Sequence, residues 1–204
     1  FGITLLSLST IYAIGQEKNE QEEEKRTLSQ NVTDYMTIPG PIMYIGEEFF
    51  LAWSKQNSET WFQQQYIKKD DDFDNYQELI NISYFNKEID MIEAAKLKVK
   101  SIETRKEKVK DDYSFVEVIE SPDGNEIIVD YLVTIVPKDA DPYTEYNMDR
   151  FKTIKSEKGN GLVIMTISKR IYGDLRSASR EVKKSRNKLL ETVITTPIPT
   201  INLK

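Results

Sequence analysis

The chain has 204 residues, a net charge of −6 and a sequence pI near 5.0, and it contains neither cysteine nor histidine. Those two absences exclude Ser-His-Asp and Cys-His nucleophile systems, the usual tetrahedral zinc sites, thiol redox chemistry and His-ligated haem. The acidic balance argues against a nucleic-acid-binding protein, because such proteins carry a basic footprint.

Residues 1–15 predict the remnant of a secretory signal peptide. The apolar run that starts at Phe1 ends in Ala13-Ile14-Gly15, which places small residues at the −3 and −1 positions of a cleavage site before Gln16. The run is shorter than the roughly 20 apolar residues of a membrane-spanning helix. We therefore expect a soluble periplasmic or secreted protein with no membrane span in its mature form. No Met or basic segment precedes Phe1, so we expect that a few residues are missing before it.

Composition divides the rest of the chain into three parts. Gln16 to Asp34 is acidic and nearly free of apolar side chains, and a disordered tail is predicted over residues 16–38. Residues 39–195 predict a single domain large enough to bury a core without disulfides. Pro197 and Pro199 exclude further helix, so residues 196–204 are expected to form an extended tail.

Three strands and a helix are predicted in the first half of the domain. The strands are rich in aromatic and aliphatic residues, and the first two read as a β-hairpin. The period then changes to three- and four-residue steps, which indicates an amphipathic helix. The predicted elements are strands at Glu48 to Trp53, Thr60 to Lys68 and Tyr76 to Ser83, and a helix between Glu88 and Val109.

Four strands and a second helix follow. Pro122-Asp123-Gly124 is a turn signature between two β-prone segments, and Asp174 is a candidate N-cap for the closing helix. The predicted strands are Ser114 to Ile119, Ile127 to Ile135, Tyr146 to Ile154 and Leu162 to Tyr172, and the helix runs from Asp174 to about Ile194.

These elements predict an α+β fold, with an antiparallel sheet of about six to seven strands and two main helices packed on it. The order of elements in an exported chain resembles the PsbP-like α/β/α sandwich family over about Met43 to Ile194. That resemblance implies an interaction or assembly role, since members of the family mostly bind partners. It rests on topology alone and assigns no functional residue.

The aromatic hairpin is one candidate binding surface. Trp53, Trp61 and Tyr66 lie among aromatic residues on both faces of the predicted hairpin. One interpretation is that these side chains fill the core. The other is that the second face stays uncovered and forms an exposed patch for a ligand or partner.

The basic stretch from Asp149 to Leu190 is the other candidate surface. It contains twelve Lys or Arg against four Asp or Glu, within a chain that is acidic overall. A continuous basic face would attract another protein or an anionic envelope component, whereas the alternative is a solvated helix that balances the acidic remainder. The candidate binding residues in this stretch are Arg150, Arg170, Tyr172, Arg176 and Arg180.

No motif in the sequence specifies a cofactor or a catalytic group. Asp70, Asp72 and Asp74 match the start of a calcium loop, but the positions that need Gly and Glu hold Asn75 and Asn81, so no metal site is predicted. We expect no cofactor. The leading hypothesis is a non-catalytic binding or assembly protein of the cell envelope, and the alternative is a carboxylate-dependent periplasmic or extracellular hydrolase. The sequence leaves the partner and the oligomeric state open.

Overall fold

The structure is a computed structural model that describes residues 32–109, 113–136, 141–156 and 159–203. The predicted signal segment and residues 16–31 of the predicted acidic tail lie outside these ranges. The described part consists of one antiparallel sheet and two helices. In chain order the elements are β1 (Ile42–Tyr44), β2 (Glu47–Ser58), β3 (Trp61–Ile67), β4 (Glu78–Phe85), α1 (Met91–Val109), β5 (Phe115–Glu120), β6 (Glu126–Ile135), β7 (Tyr143–Ser156), β8 (Gly159–Tyr172) and α2 (Leu175–Thr195).

The sheet joins two four-stranded meanders, each followed by a helix. The spatial order of strands is β1-β2-β3-β4-β8-β7-β6-β5, and every neighbouring pair is antiparallel. Hairpins connect the strands within each meander. The two meanders meet where β4 pairs with β8, from Glu78 opposite Lys169 to Phe85 opposite Leu162.

The helices pack on opposite faces of the sheet. The face that carries α2 holds the largest apolar cluster, in which Val182 and Leu189 of α2 meet Leu132, Met148 and Met165 of the sheet. The opposite face carries α1 over a second cluster, and a smaller third cluster forms around the loop between β3 and β4. We call these two faces the α2 face and the α1 face.

Local signals in the sequence correctly located the turn after β5 and the start of α2. Gly124 has φ of 70°, which glycine adopts readily, and the side chain of Asp123 accepts hydrogen bonds from Ser121 Oγ and from the backbone N–H of Asn125. Asp174 is the N-cap of α2, and its carboxylate accepts a hydrogen bond of 2.8 Å from the backbone N–H of Ser177. These two predictions are confirmed.

The predicted fold class is wrong in its strand count and in its sandwich form. The sheet has eight strands and curls into a half-barrel, rather than six or seven strands in a PsbP-like sandwich. The prediction missed β1. Its turn into β2 gives Ile45 a φ of 51°, and because β-branched residues rarely adopt positive φ, Ile45 is not a turn signal in the sequence.

The chain segments outside the strands and helices also contribute to the core. Met36 and Ile38, which precede the predicted domain boundary at residue 39, are buried in the cluster on the α2 face. Ile198, Ile201 and Leu203 pack against the same cluster, and the backbone N–H of Asn202 donates to the carbonyl of Met36. The extended segment after α2 therefore lies against the start of the described chain.

Candidate functional site

Two residues of the aromatic hairpin lie in the core. Trp61 is buried on the α1 face and stacks on Phe85, with ring centroids 5.6 Å apart and ring planes at 17°. Tyr66 is buried on the α2 face, where Gln64 Nε2 donates to its hydroxyl at 2.7 Å. Burial is the main cause that raises the pKa of Tyr66 above its ordinary value. Neither ring contributes to an exposed patch.

Trp53 differs from the other two aromatic residues because it keeps partial solvent access. It lies on β2 opposite Gln65 and packs against the small cluster that includes Ile67 and Tyr76. Paired residues of an antiparallel sheet point to the same face, so Trp53 and Gln65 both belong to the α1 face. Of the three candidate residues of the aromatic hairpin, Trp53 alone remains partly open to solvent.

Arg150 joins the sheet to the end of α2. Its guanidinium is buried and donates to the carbonyls of Val193 at 2.9 Å and Thr196 at 2.6 Å. It also forms an ion pair with Glu126 on β6. The C-terminal carbonyls of a helix lack partners within the helix, and a cation there also complements the helix dipole. Arg150 is therefore fully engaged within the fold.

Arg170 and Tyr172 form an aromatic and ionic cluster at the end of β8. The Arg170 guanidinium lies between the rings of Tyr76 and Tyr143, 4.0 and 4.5 Å from their centroids, and Nε donates to Glu145 at 3.0 Å. Burial lowers the pKa of Arg170, but Tyr76 and Glu145 outweigh it and raise the pKa above its ordinary value. Tyr172 contacts the Tyr143 ring and donates to the carbonyl of Tyr76.

The basic residues expected to form one surface are divided between the two faces. Arg170 points to the α1 face, whereas Lys169 points to the α2 face because successive strand residues alternate. Arg176 and Arg180 lie on α2, exposed to solvent. The structure therefore brings Arg176 and Arg180 together and separates them from Arg150 and Arg170.

A polar band that no motif in the sequence indicates crosses the centre of the α1 face. Each of the four adjacent strands β3, β4, β8 and β7 contributes two polar side chains separated by one residue. We call this set the polar stripe. Its members are Gln63 and Gln65, Asn81 and Ser83, Thr166 and Ser168, and Asn147 and Asp149.

Hydrogen bonds within the polar stripe hold its amides in place. Asn81 Oδ1 accepts from Gln63 Nε2 at 2.8 Å and from Gln65 Nε2 at 3.3 Å. On the other side, Ser168 Oγ donates to Asn147 Oδ1 at 2.5 Å. One row of the sheet runs directly from Gln65 through Asn81 and Thr166 to Asp149. These bonds order the side chains of the stripe in two groups, one on β3 and β4 and the other on β7 and β8.

Asp149 ends the row with a buried ion pair to α1. Lys98 Nζ lies 3.0 Å from Asp149 Oδ2 and 4.6 Å from the centroid of the Tyr131 ring. The second oxygen, Oδ1, is buried and has no hydrogen-bond partner among the described residues. Burial first, and then the charge of Asp149, raises the pKa of Tyr131 well above its ordinary value. Asp149 thus keeps acceptor capacity that none of the described residues uses.

The acidic loop between β3 and β4 uses its carboxylates for local turns. Asp72 accepts hydrogen bonds from the backbone N–H groups of Asp74 and Asn75. These bonds lower the pKa of Asp72 below its ordinary value, and the bond from Asn75 contributes most. Within the described ranges, no group of three or more acidic side chains is arranged to hold a metal ion. Neither α1 nor α2 is long and apolar enough to cross a membrane.

Comparison with known proteins places the described fold in a family. A family model matches residues 36–198, a range that includes all eight strands and both helices. The chain belongs to this family, which is uncharacterised. No curated protein matches the sequence.

Proposed function

We propose that this protein is a non-catalytic binding protein that holds an acidic protein partner on the exposed face of α2. The observation that carries the proposal is a row of five cationic side chains along that helix. All five are exposed, and none makes an ion pair with another described residue. They are Arg176, Arg180, Lys183, Lys184 and Lys188.

The spacing of these cations places them on one side of the helix. Positions three, four and seven residues apart lie on neighbouring turns, so Arg176, Arg180, Lys184 and Lys188 follow one line at four-residue steps. Glu181 and Glu191 add exposed negative charge within α2, and Asp174 at its N-cap interacts electrostatically with Arg176 and Arg180. A solvated helix gains little from such clustering, because like charges at four-residue spacing repel. An acidic partner would relieve that repulsion.

The two buried carboxylates of β7 support binding over hydrolysis. Glu145 and Asp149 are four residues apart on one face of an extended strand, which separates their backbones by about 13 Å. The paired carboxylates of glycoside hydrolases are about 5–10 Å apart. Glu145 is moreover held by Arg170 and by Asn147 Nδ2 at 3.1 Å. This pair therefore offers no basis for the hydrolase alternative.

Location outside the cytoplasm is part of the proposal and rests on the sequence of residues 1–15. An exported binding protein meets its partner at extracellular ionic strength, where exposed charges are screened over about 8 Å. Direct contact with α2 is then needed for the charges to contribute to affinity. The signal-like pattern of residues 1–15 and the row of cations on α2 are independent observations, so location and binding can be tested separately.

The test compares two triple variants with equal changes in charge. The first replaces Arg176, Arg180 and Lys184 with Ser, and the control replaces Lys96, Lys100 and Lys108, which are exposed on α1. The partner is captured from an extract with the unmodified protein and identified by mass spectrometry. Its Kd is then measured for the unmodified protein and both variants at 50 and 300 mM NaCl, after circular dichroism has verified that each variant is folded.

We expect the α2 variant to raise Kd at least tenfold at 50 mM NaCl and the α1 control to change it less than threefold. Added salt should weaken binding of the unmodified protein and have little further effect on the α2 variant. Equal affinity of the α2 variant and the unmodified protein would overturn the proposal. So would capture of only anionic lipid or polysaccharide, because the proposed partner is an acidic protein.

A further inference from the structure

We propose that the polar stripe is the floor of a second binding site, on the face opposite α2, and that it takes a small neutral polyhydroxyl ligand such as a mono- or disaccharide. Nothing in the proposed role of α2 requires this site. The proposal rests on the solvent access of the stripe, on its hydrogen-bonding chemistry and on the unpartnered oxygen of Asp149.

Solvent reaches the stripe at the centre of the sheet. Asn81 and Thr166 lie on β4 and β8, the two central strands, yet both side chains are only half-buried. The packing contacts of α1 fall mainly on β6 and also on β5 and β7. At the other end, Phe73 and Tyr76 of the β3–β4 loop cover the apolar residues of β3 and β4. α1 and the β3–β4 loop therefore leave Asn81 and Thr166 partly uncovered.

The chemistry of the floor suits a neutral ligand rich in hydroxyl groups. The stripe presents amides, which both donate and accept, and hydroxyls, which do the same. Its one charged member, Asp149, is balanced by Lys98, and the neighbouring Glu145 is balanced by Arg170. A ligand with a net charge would find no uncompensated partner there. A sugar hydroxyl can donate to one side chain and accept from the next.

Asp149 is the independent observation that indicates a ligand. Its side chain is 4% exposed, and Oδ1 has no hydrogen-bond partner in the described part of the chain. A buried acceptor without a donor costs free energy, about 1–3 kcal/mol for a polar group and more for a charged one. Thr166 is paired with Asp149, so its half-buried hydroxyl lies on the same face of the sheet. A ligand hydroxyl placed between them would satisfy both groups.

Trp53 adds an aromatic surface at the far end of the same row. It is paired with Gln65 and keeps partial solvent access on the α1 face. Ligand pockets commonly combine aromatic walls with a few well-placed polar groups. A sugar ring has an apolar C–H face and a polar rim, so it could pack on the indole while its hydroxyls contact Gln65 and Asn81.

The test is a titration with defined sugars, followed by ¹H–¹⁵N NMR and calorimetry. The probes are glucose, galactose, N-acetylglucosamine, maltose and cellobiose, each up to 50 mM, with glucosamine as a cationic comparison. The side-chain amide signals of Gln65 and Asn81 report on the stripe itself. Thr166→Val removes a stripe hydroxyl while keeping the side-chain shape. Thr153→Val is the matched control. Thr153 lies on β7 and faces the same side of the sheet as Thr166, but it is exposed and outside the stripe.

We expect at least one neutral sugar to shift the Gln65 and Asn81 amide signals in a saturable manner. Thr166→Val should raise its Kd at least tenfold, and Thr153→Val should leave it within twofold. Asp149→Asn provides a second variant, for which the same loss is expected after its folding has been verified. The proposal is overturned if no probe binds at 50 mM, if glucosamine alone binds, or if binding is unaffected by Thr166→Val and Asp149→Asn.

Discussion

The guanidinium of Arg186 on α2 holds the carboxylate of Asp130 on β6 with two hydrogen bonds, 2.6 Å from Nε to Oδ2 and 2.9 Å from Nη2 to Oδ1. Asp130 is fully buried, and Tyr146 donates a third hydrogen bond to Oδ2 at 3.0 Å. The bond to Asp130 is the largest cause that raises the pKa of Arg186 above its ordinary value. This pair fixes the middle of α2 against the sheet, below the basic row.

Arg186→Met should lower the free energy of unfolding by about 3–5 kcal/mol, because it leaves the buried charge of Asp130 without its partner. Lys183→Met on the exposed side of the same helix should change it by less than about 0.5 kcal/mol. Urea unfolding at pH 7 measures both. Equal stability of the two variants would show that the Asp130–Arg186 pair contributes little.

Arg150→Met should loosen the last turn of α2 and lower the free energy of unfolding by about 3 kcal/mol, since Glu126 loses a buried partner and the carbonyls of Val193 and the cap residue Thr196 lose their donor. Lys152→Met, which removes the more exposed cation beside Glu126, should cost less than about 1 kcal/mol. Hydrogen exchange would locate the effect. Faster exchange is expected for the amides of residues 192–196 in Arg150→Met but not in Lys152→Met.

Gly161→Ala should destabilise the protein by about 1–3 kcal/mol through overpacking. A Cβ at this position would lie 2.7 Å from Tyr84 Cε2 and 2.8 Å from the carbonyl oxygen of Phe85. The carbonyl belongs to the backbone of β4 and cannot rotate away, so the strands must shift. Asn160→Ala, at the adjacent exposed position, should change stability by less than about 0.5 kcal/mol. Thermal unfolding that shows no difference between the two variants would contradict this packing.

The pKa of Asp123 is expected to be about 2, because hydrogen bonds from Ser121 and then from Asn125 favour its charged form. The unfolded chain has the higher pKa for this group and binds more protons as the pH falls. The stabilising contribution of Asp123 is therefore complete above about pH 5 and disappears as the pH approaches 2. The difference in unfolding free energy between the unmodified protein and Asp123→Ala should decrease over that range. An NMR titration midpoint near 4 for Asp123 would contradict the prediction.

Elements with strong local signals could be predicted from the sequence. The Pro122-Asp123-Gly124 turn and the N-cap at Asp174 depend on residue types within a few positions of each other, and both predictions are confirmed. The strand β1 could not be predicted in this way. Its three residues are too few to show a period, and its turn places an isoleucine at positive φ.

The candidate sites depend on contacts that are distant in sequence. Two polar residues separated by one position are visible in each of β3, β4, β7 and β8, but nothing local shows that β4 pairs with β8 and brings these pairs into one stripe. Charge density likewise predicts a basic surface. It does not reveal that Arg150 and Arg170 are engaged within the fold, while Arg176 and Arg180 remain exposed.

The pairing of β4 with β8 has a consequence for synthesis of the chain. The ribosome completes β1 to β4 well before Leu162 to Lys169, so β4 emerges with one edge that has no partner. An unpaired edge can pair with other chains, and contacts far apart in sequence form slowly. α1 follows β4 directly but packs on β5, β6 and β7, which are translated later. The nascent first meander must therefore avoid pairing with other chains until the second meander is made. The second meander then supplies both β8, the missing neighbour of β4, and the sheet surface on which α1 packs.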